Sequence, residues 1–332
     1  MNRQGGAQCK GAAAHAAETA QRRRRVGPWY VGAMIVLFCV AGSAWWWTQN
    51  QGAPLPEVDL RHLDPSIARL IQQGQNEIKT QPHSTAAWGR LGLLLRAYDF
   101  PGAARTCFAE AERRDPRDPR WPYFLSLMLK VEAPPHAIAH LRRAVQLCGN
   151  DPEMPRLRLA TMLAEDGQWE AAEQEVQLLL REHPQYAETW LLVGRLQLLR
   201  KDLTNAESSL RRHLELGAES AQGWFQLGLV QLAQQQFSAA SDTFRKAAEL
   251  KPDFGRAFYN RAFALLRNGD LHGPIAPFRE AIRLNPERID SYLLLADIYL
   301  QLGNKAEAVK LFRQAEALDA NHPGVRQLRQ KL

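Results

Sequence analysis

The sequence lacks the residue patterns that mark metal, disulfide and haem chemistry. Its four cysteines, at positions 9, 39, 107 and 148, form neither a CxxC nor a CxxCH motif, which argues against a disulfide scaffold, a zinc ribbon and covalently attached c-type haem. A glycine-rich phosphate loop and the GxSxG motif of hydrolases are also missing. We therefore predict that the chain is not an enzyme and that it has no catalytic residue, no metal and no cofactor.

Surplus positive charge is confined to the N terminus. The chain of 332 residues has 42 Lys plus Arg and 35 Asp plus Glu, a net charge of +7, and residues 1–25 hold six basic side chains against one acidic one. Those residues account for +5, so the rest of the chain, with 36 basic and 34 acidic residues, carries only +2. Such a balance provides no basic surface for nucleic acid, and we expect no nucleic-acid partner.

A long apolar run follows the basic tail. The stretch Trp29–Trp47 has 19 residues without a charge, and at roughly 1.5 Å per residue a helix of that length, about 28 Å, matches the hydrocarbon core of a bilayer. Arg22–Arg25 precede it directly, so the positive-inside rule predicts a cytoplasmic N terminus. We predict a single-pass membrane protein, in the inner membrane of a bacterium, whose remainder lies outside the cytoplasm. A cleaved signal peptide is the alternative, since small residues occupy 41–44.

A period of 34 residues organises the rest of the chain. Trp190, Trp224, Phe258 and Tyr292 are each separated by 34 residues. When these residues are numbered position 4 of a unit, position 8 is mostly small, position 20 is mostly alanine, position 24 is large and apolar, and position 32 is often proline. A period of this length predicts stacked units of one helix pair each. We name the first helix of each pair helix A and the second helix B.

The pattern resembles the tetratricopeptide repeat (TPR) family. One unit carries almost the whole consensus of that family, in Trp224, Leu227, Gly228, Ala240, Phe244, Ala247 and Pro252. The resemblance implies an all-α fold, a right-handed superhelical solenoid of helix-turn-helix units, preceded here by one transmembrane helix. The small residue at position 8 would let helix A approach helix B closely.

These observations predict the division of the chain. The N-terminal parts are a cytoplasmic tail (1–25), the transmembrane helix (26–48), a linker (49–64) and a leading half-repeat helix (65–84). Seven repeats and a capping helix then follow, with bounds 85–117, 118–152, 153–186, 187–220, 221–254, 255–288, 289–322 and 323–332. Pro274 and Pro277 stand where helix B of the sixth repeat should begin, so we expect that helix to start late or to bend.

The family resemblance also implies where a partner binds, because the helices A of a TPR stack line a concave groove that commonly holds a partner's peptide. Positions 2, 5, 9 and 12 point away from helix B. The residues that we predict to contact a protein or peptide in the groove are Leu191, Arg195, Phe225, Leu229, Arg256, Tyr259, Phe263 and Leu293. The alternative, packing against the next repeat, stays open for Leu229.

These predictions define a membrane-anchored scaffold that holds partner proteins at the bilayer, which it contacts through Trp29–Trp47. Two alternatives remain. The layout is similar to that of membrane-tethered TPR subunits of cytochrome c biogenesis, which implies presentation of apocytochrome c to the haem-attachment machinery. The second alternative is self-association through the ends of the solenoid. The sequence does not predict an oligomeric state.

Overall fold

The computed structural model describes residues 54–148, 153–217 and 219–332, and every regular element within them is an α-helix. The all-α class is therefore confirmed. None of the helices in these three ranges combines the length and apolarity that crossing a bilayer requires. The predicted tail and transmembrane helix lie outside the described residues, and the transmembrane helix stays a prediction.

The described residues belong to two compact units, one ending at Pro116 and the other beginning at Arg117. The first contains α1 (Pro65–Thr80), α2 (Thr85–Ala97) and α3 (Pro101–Arg114). The second contains α4 (Arg120–Leu129), α5 (Pro134–Cys148), α6 (Glu153–Glu165), α7 (Trp169–Glu182), α8 (Ala187–Leu199), α9 (Leu203–Gly217), α10 (Ala221–Ala233), α11 (Phe237–Leu250), α12 (Gly255–Arg267), α13 (Ile275–Leu284), α14 (Ile289–Gln301), α15 (Lys305–Leu318) and α16 (Pro323–Arg329). Consecutive helices pack as the predicted A and B pairs, for example α10 with α11 and α14 with α15.

The first unit begins with the predicted leading helix. Asp64 caps α1 by accepting a hydrogen bond from the Ser66 amide at 2.8 Å, and Pro65 stands at the first turn, where its missing N–H is not needed. Ile71 and Ile78 of α1 are buried. Because α1 packs on α2, these two side chains cover the first complete repeat.

Position 8 is where the two helices of a pair approach most closely. A Cβ atom on Gly228 would lie 2.7 Å from Cε1 of the buried Phe244, and one on Gly194 would lie 2.5 Å from Cγ of Leu210. Real Cβ atoms do not come so near to other carbons, so glycine is needed at both positions. The predicted role of the small residue at position 8 is confirmed.

The turn from helix A to helix B has a left-handed residue at position 15 of the unit. That position has a positive φ at Gly167, Gly269 and Gly303, with values of 79°, 86° and 75°. It also has a positive φ at Asp99, Lys201 and Gln235, with values of 63°, 62° and 61°. Glycine adopts this conformation without strain, whereas other L-residues do so at a cost.

Helix B of the sixth repeat starts late, as predicted. It is α13, which has 10 residues, whereas α11 and α15 have 14 each. Pro274 lies just before the helix, and Pro277 in its first turn is buried next to Phe278. A proline in the first turn of a helix removes no intrahelical hydrogen bond.

Aromatic residues at position 4 link helix A to the end of the preceding unit. Nε1 of Trp190 donates a hydrogen bond to the carbonyl of Pro184 at 2.9 Å, and the Tyr292 hydroxyl donates one to the carbonyl of Pro286 at 2.9 Å. Trp88 makes the same bond to Pro82 at 3.0 Å. The rings thus pack between the helices while their polar atoms satisfy a carbonyl at the end of the previous helix B.

Candidate functional site

Helix A of the sixth repeat, α12, carries a pair of parallel aromatic rings. Tyr259 and Phe263 lie one helical turn apart on α12, and their ring centroids are 6.4 Å apart with planes inclined by 5°. The edge of Tyr259 meets the buried Phe278, at 5.8 Å between centroids. Both rings are half-buried, so each has one part fixed by packing and another part open to a ligand.

These rings form one wall of a pocket between α12, α14 and α16. Its volume is about 380 Å³. The lining residues come from all three helices and from the residues that flank α16, and they are Tyr259, Phe263, Asp290, Leu293, Leu294, Asp297, His322, Gly324, Gln327, Leu328 and Lys331. Gly324 lets α16 sit this close to α14, because a Cβ atom at residue 324 would lie 2.5 Å from Cδ1 of Leu293.

The pocket follows the 34-residue period. Tyr259 and Phe263 occupy positions 5 and 9 of their unit, and Leu293 and Asp297 occupy positions 5 and 9 of the next. Counting a further 34 residues leads to Gln327 and Lys331, which line the pocket too. The segment from Pro323 therefore stands where helix A of an eighth unit would stand.

The pocket contains two carboxylates, which differ in their surroundings. Asp297 accepts hydrogen bonds from the Lys331 ammonium at 2.6 Å and from Nε2 of Gln301 at 2.8 Å. Asp290 is exposed, and it has no hydrogen-bond or ion-pair partner among the residues described. The lining has two carboxylates, Asp290 and Asp297, against one ammonium group, that of Lys331, so carboxylates outnumber ammonium groups in the pocket.

An arginine stacks on the ring of Tyr259. The guanidinium carbon of Arg288 lies 3.6 Å from the centroid of the Tyr259 ring, a cation–π contact. Burial raises the pKa of the Tyr259 hydroxyl above its usual value, and the positive charge of Arg288 acts in the opposite direction. The hydroxyl is therefore neutral at pH 7 and can donate a hydrogen bond.

Three of the residues predicted from the sequence to line a groove come together here: Tyr259, Phe263 and Leu293. Arg256 is exposed at the start of α12. Leu191 and Leu229 are half-buried and pack against the apolar core of neighbouring helices, which favours the packing role that the sequence left open for Leu229. Arg195 is half-buried on α8. These last four residues do not line the pocket.

The prediction that Phe225 lines an open groove is wrong. Its side chain is fully buried, with its ring centroid 4.8 Å from that of Phe254 and 5.7 Å from that of Phe244. The guanidinium of Arg256 covers it further, at 4.9 Å. Phe254 is the last residue of the same unit, and its ring closes off Phe225 at position 5 from the groove.

Sequence reasoning missed the wall that α16 contributes. It predicted a capping helix over 323–332, and Val325 and Leu328 are indeed buried. That Gln327 of this helix and Lys331, just beyond its end, also line the pocket was not predicted. The signal was present, because extending the period of 34 residues beyond residue 322 places both at the ligand-facing positions 5 and 9.

Antiparallel helix pairs of regular length, close contacts at position 8 and aromatic residues at position 4 define the chain as a TPR protein, a class that binds other proteins on the surfaces its repeats create. The family model described as the Cilia and flagella-associated protein 70 C-terminal domain matches residues 126–330. The chain belongs to that family. A comparison with curated protein sequences gives no match.

Solved TPR structures share the fold at low sequence identity. YrrB, described as a TPR protein with an unusual peptide-binding site, is 19% identical with a TM-score of 0.50, and the match covers 58% of this chain and 98% of YrrB. A TPR protein from Parabacteroides merdae is 16% identical with a TM-score of 0.54, covering 78% and 98%. Yeast Tom70 is 13% identical with a TM-score of 0.57, covering 80% of this chain and 58% of Tom70.

Proposed function

We propose that this protein is a scaffold, not an enzyme, and that it binds a segment of a partner protein in the pocket between α12, α14 and α16. The observation that carries the proposal is the half-buried pair of Tyr259 and Phe263 facing Leu293 across a space of about 380 Å³. Half-buried aromatic rings beside polar groups are typical of the anchor sites where binding energy concentrates.

We further propose that the scaffold is tethered to a membrane, with the repeats outside the cytoplasm. The support is the uncharged run Trp29–Trp47 directly after Arg22–Arg25. The description of the family connects its namesake with cilia and flagella, which would be a different location from the one that we propose.

Protease protection of the repeats in sealed membrane vesicles tests whether they lie outside the cytoplasm. A protein that is absent from the membrane fraction would refute the tether.

Presentation of apocytochrome c is a narrower form of the proposal, and the layout of the chain is what supports it. No residue in the described pocket is specific for haem. The partner segment itself provides the test, because an apocytochrome would contribute a segment that bears CxxCH.

Site-specific photo-crosslinking in native membranes tests the main proposal. A photoreactive residue is placed at Phe263 or at Leu293 in the pocket, and at Lys310 as a control on the exposed face of helix B in the last repeat. We expect one discrete partner to be captured from 263 and 293 but not from 310. The crosslinked segment is mapped by mass spectrometry and its binding reproduced with the purified segment. Equal capture from all three sites, or none, would overturn the proposal.

A further inference from the structure

We infer that the pocket selects a partner segment in which a lysine or arginine stands next to an apolar residue. The inference rests on the proposed function and specifies its ligand. The basis is the two carboxylates of the lining, of which only one has an ion-pair partner in the described part of the chain. Asp297 is already matched by Lys331, while Asp290 has no ion-pair partner among the described residues. The charge that would complement the pocket is therefore positive.

The ion pair of Lys331 and Asp297 shows how such a ligand would be held. The ammonium group reaches the carboxylate at 2.6 Å, and both side chains are partly exposed, 58% and 32%. An ion pair with that exposure is weak, so a cation from a partner can replace Lys331. The ammonium–carboxylate contact of Lys331 and Asp297 is thus the same contact that we expect a lysine of the partner to make.

The spacing of the carboxylates sets the spacing of the ligand's charges. Asp290 and Asp297 are seven residues apart on α14, which in an α-helix is close to two full turns and about 10.5 Å along one face. A segment in the polyproline II conformation has three residues per turn and advances about 3.1 Å per residue. Two basic residues three apart in its sequence would therefore lie on one face, about 9.3 Å apart, and would reach both carboxylates. Leu293 lies between them, and Tyr259 and Phe263 face it, which places an apolar side chain between the two charges.

Arginines lie at both rings of the aromatic wall. Arg288 stacks on Tyr259, and the guanidinium carbon of Arg267 lies 5.9 Å from the centroid of the Phe263 ring. A basic side chain of the ligand is repelled from these arginines and attracted to Asp290. The orientation of the segment is therefore fixed, with its cations along α14.

Fluorescence anisotropy with the full chain in a mild detergent tests the inference. The probes are four labelled ten-residue peptides, identical except at two sites three residues apart that flank a leucine. The sites carry two lysines, one lysine and one glutamine, two glutamines, or two glutamates. We expect affinity to fall in that order, and the preference for lysine to weaken as salt is raised.

The variants show which carboxylate is responsible. Asp290→Asn should weaken binding of the one-lysine peptide by about 2- to 5-fold, the range expected for exposed ion pairs, and leave the glutamine peptide unchanged. Asp253→Asn is the matched control, because Asp253 is exposed and lies outside the pocket. Lys331→Met should strengthen binding of the two-lysine peptide by a similar factor, since it removes the internal competitor.

Equal affinities for the lysine and glutamine peptides, or an equal effect of the two asparagine variants, would overturn the inference. A crosslinked partner segment without a basic residue beside an apolar one would also overturn it, and the proposed function would stand. If no peptide binds and no partner is captured from residue 263 or 293, the inference and the proposed function both fail.

Discussion

The ring of Phe254 covers the ring of Phe225, with 4.8 Å between the centroids. Phe225 was predicted to face a partner, and Phe254 ends the same unit. In the next unit Arg288 occupies the place of Phe254, and Tyr259 below it remains half-buried and lines the pocket. In these two units, a phenylalanine at the last position accompanies a buried residue at position 5, and an arginine at the last position accompanies a half-buried one.

The first prediction concerns this difference. Phe225→Ala should destabilise the protein by about 3–5 kcal/mol, because it removes a fully buried ring and leaves a cavity. Phe263→Ala, which truncates a half-buried ring, should cost less than about half as much. Amide hydrogen exchange of α10 and α11 for the first, and of α12 for the second, measures the local stability. Equal losses would mean that Phe225 is not part of the core.

The second prediction concerns the left-handed turns. Gln235→Gly should stabilise its repeat by about 0.5 kcal/mol, because relief of the left-handed strain outweighs the added freedom of the unfolded chain. Gly303→Ala should destabilise by a similar amount. A Cβ atom there would meet nothing within 4 Å, so the change isolates the backbone effect. Urea unfolding midpoints check both, and shifts in the same direction would contradict the account.

Close helix contact is the subject of the third prediction. Gly228→Ala should cost about 1–3 kcal/mol, since the new methyl group would lie 2.7 Å from Phe244. Gly102→Ala is the matched control: it lies in the first turn of α3 with no heavy atom within 4 Å of the added Cβ, and it should stabilise by up to about 1 kcal/mol. If Gly228→Ala is as well tolerated as Gly102→Ala, the helices are not in close contact.

A fourth prediction tests the hydrogen bond between consecutive repeats. Tyr292→Phe keeps the ring but removes the hydroxyl that donates to the carbonyl of Pro286 at 2.9 Å. We expect a loss of about 0.5–1.5 kcal/mol. Faster exchange of the α14 amides, with exchange of α10 unchanged, is the expected pattern because each repeat contacts its neighbours. An unchanged α14 would show that the bond contributes nothing.

Much of the fold was predictable, because the period of 34 residues determines which side chains face the partner helix. The small residues at position 8 and the late start at Pro274 could be predicted from residue type alone. The exposure of Phe225 could not, since it depends on how two large side chains from different parts of a unit pack together. The wall formed by α16 was missed for another reason: its sequence has the apolar pattern of a cap, and that pattern says nothing of its polar face.

Because α16 forms part of the pocket, ligand binding is coupled to the docking of this helix on the repeats. This helix has seven residues and packs on α14 and α15, and a short terminal element of this kind opens more readily than the interior of a stack. A ligand that contacts Gln327 and Lys331 binds only while α16 is docked. Part of its binding free energy therefore stabilises the docked position of α16. By the same linkage, changes that loosen this end weaken the partner, and the partner in turn protects the end from proteases.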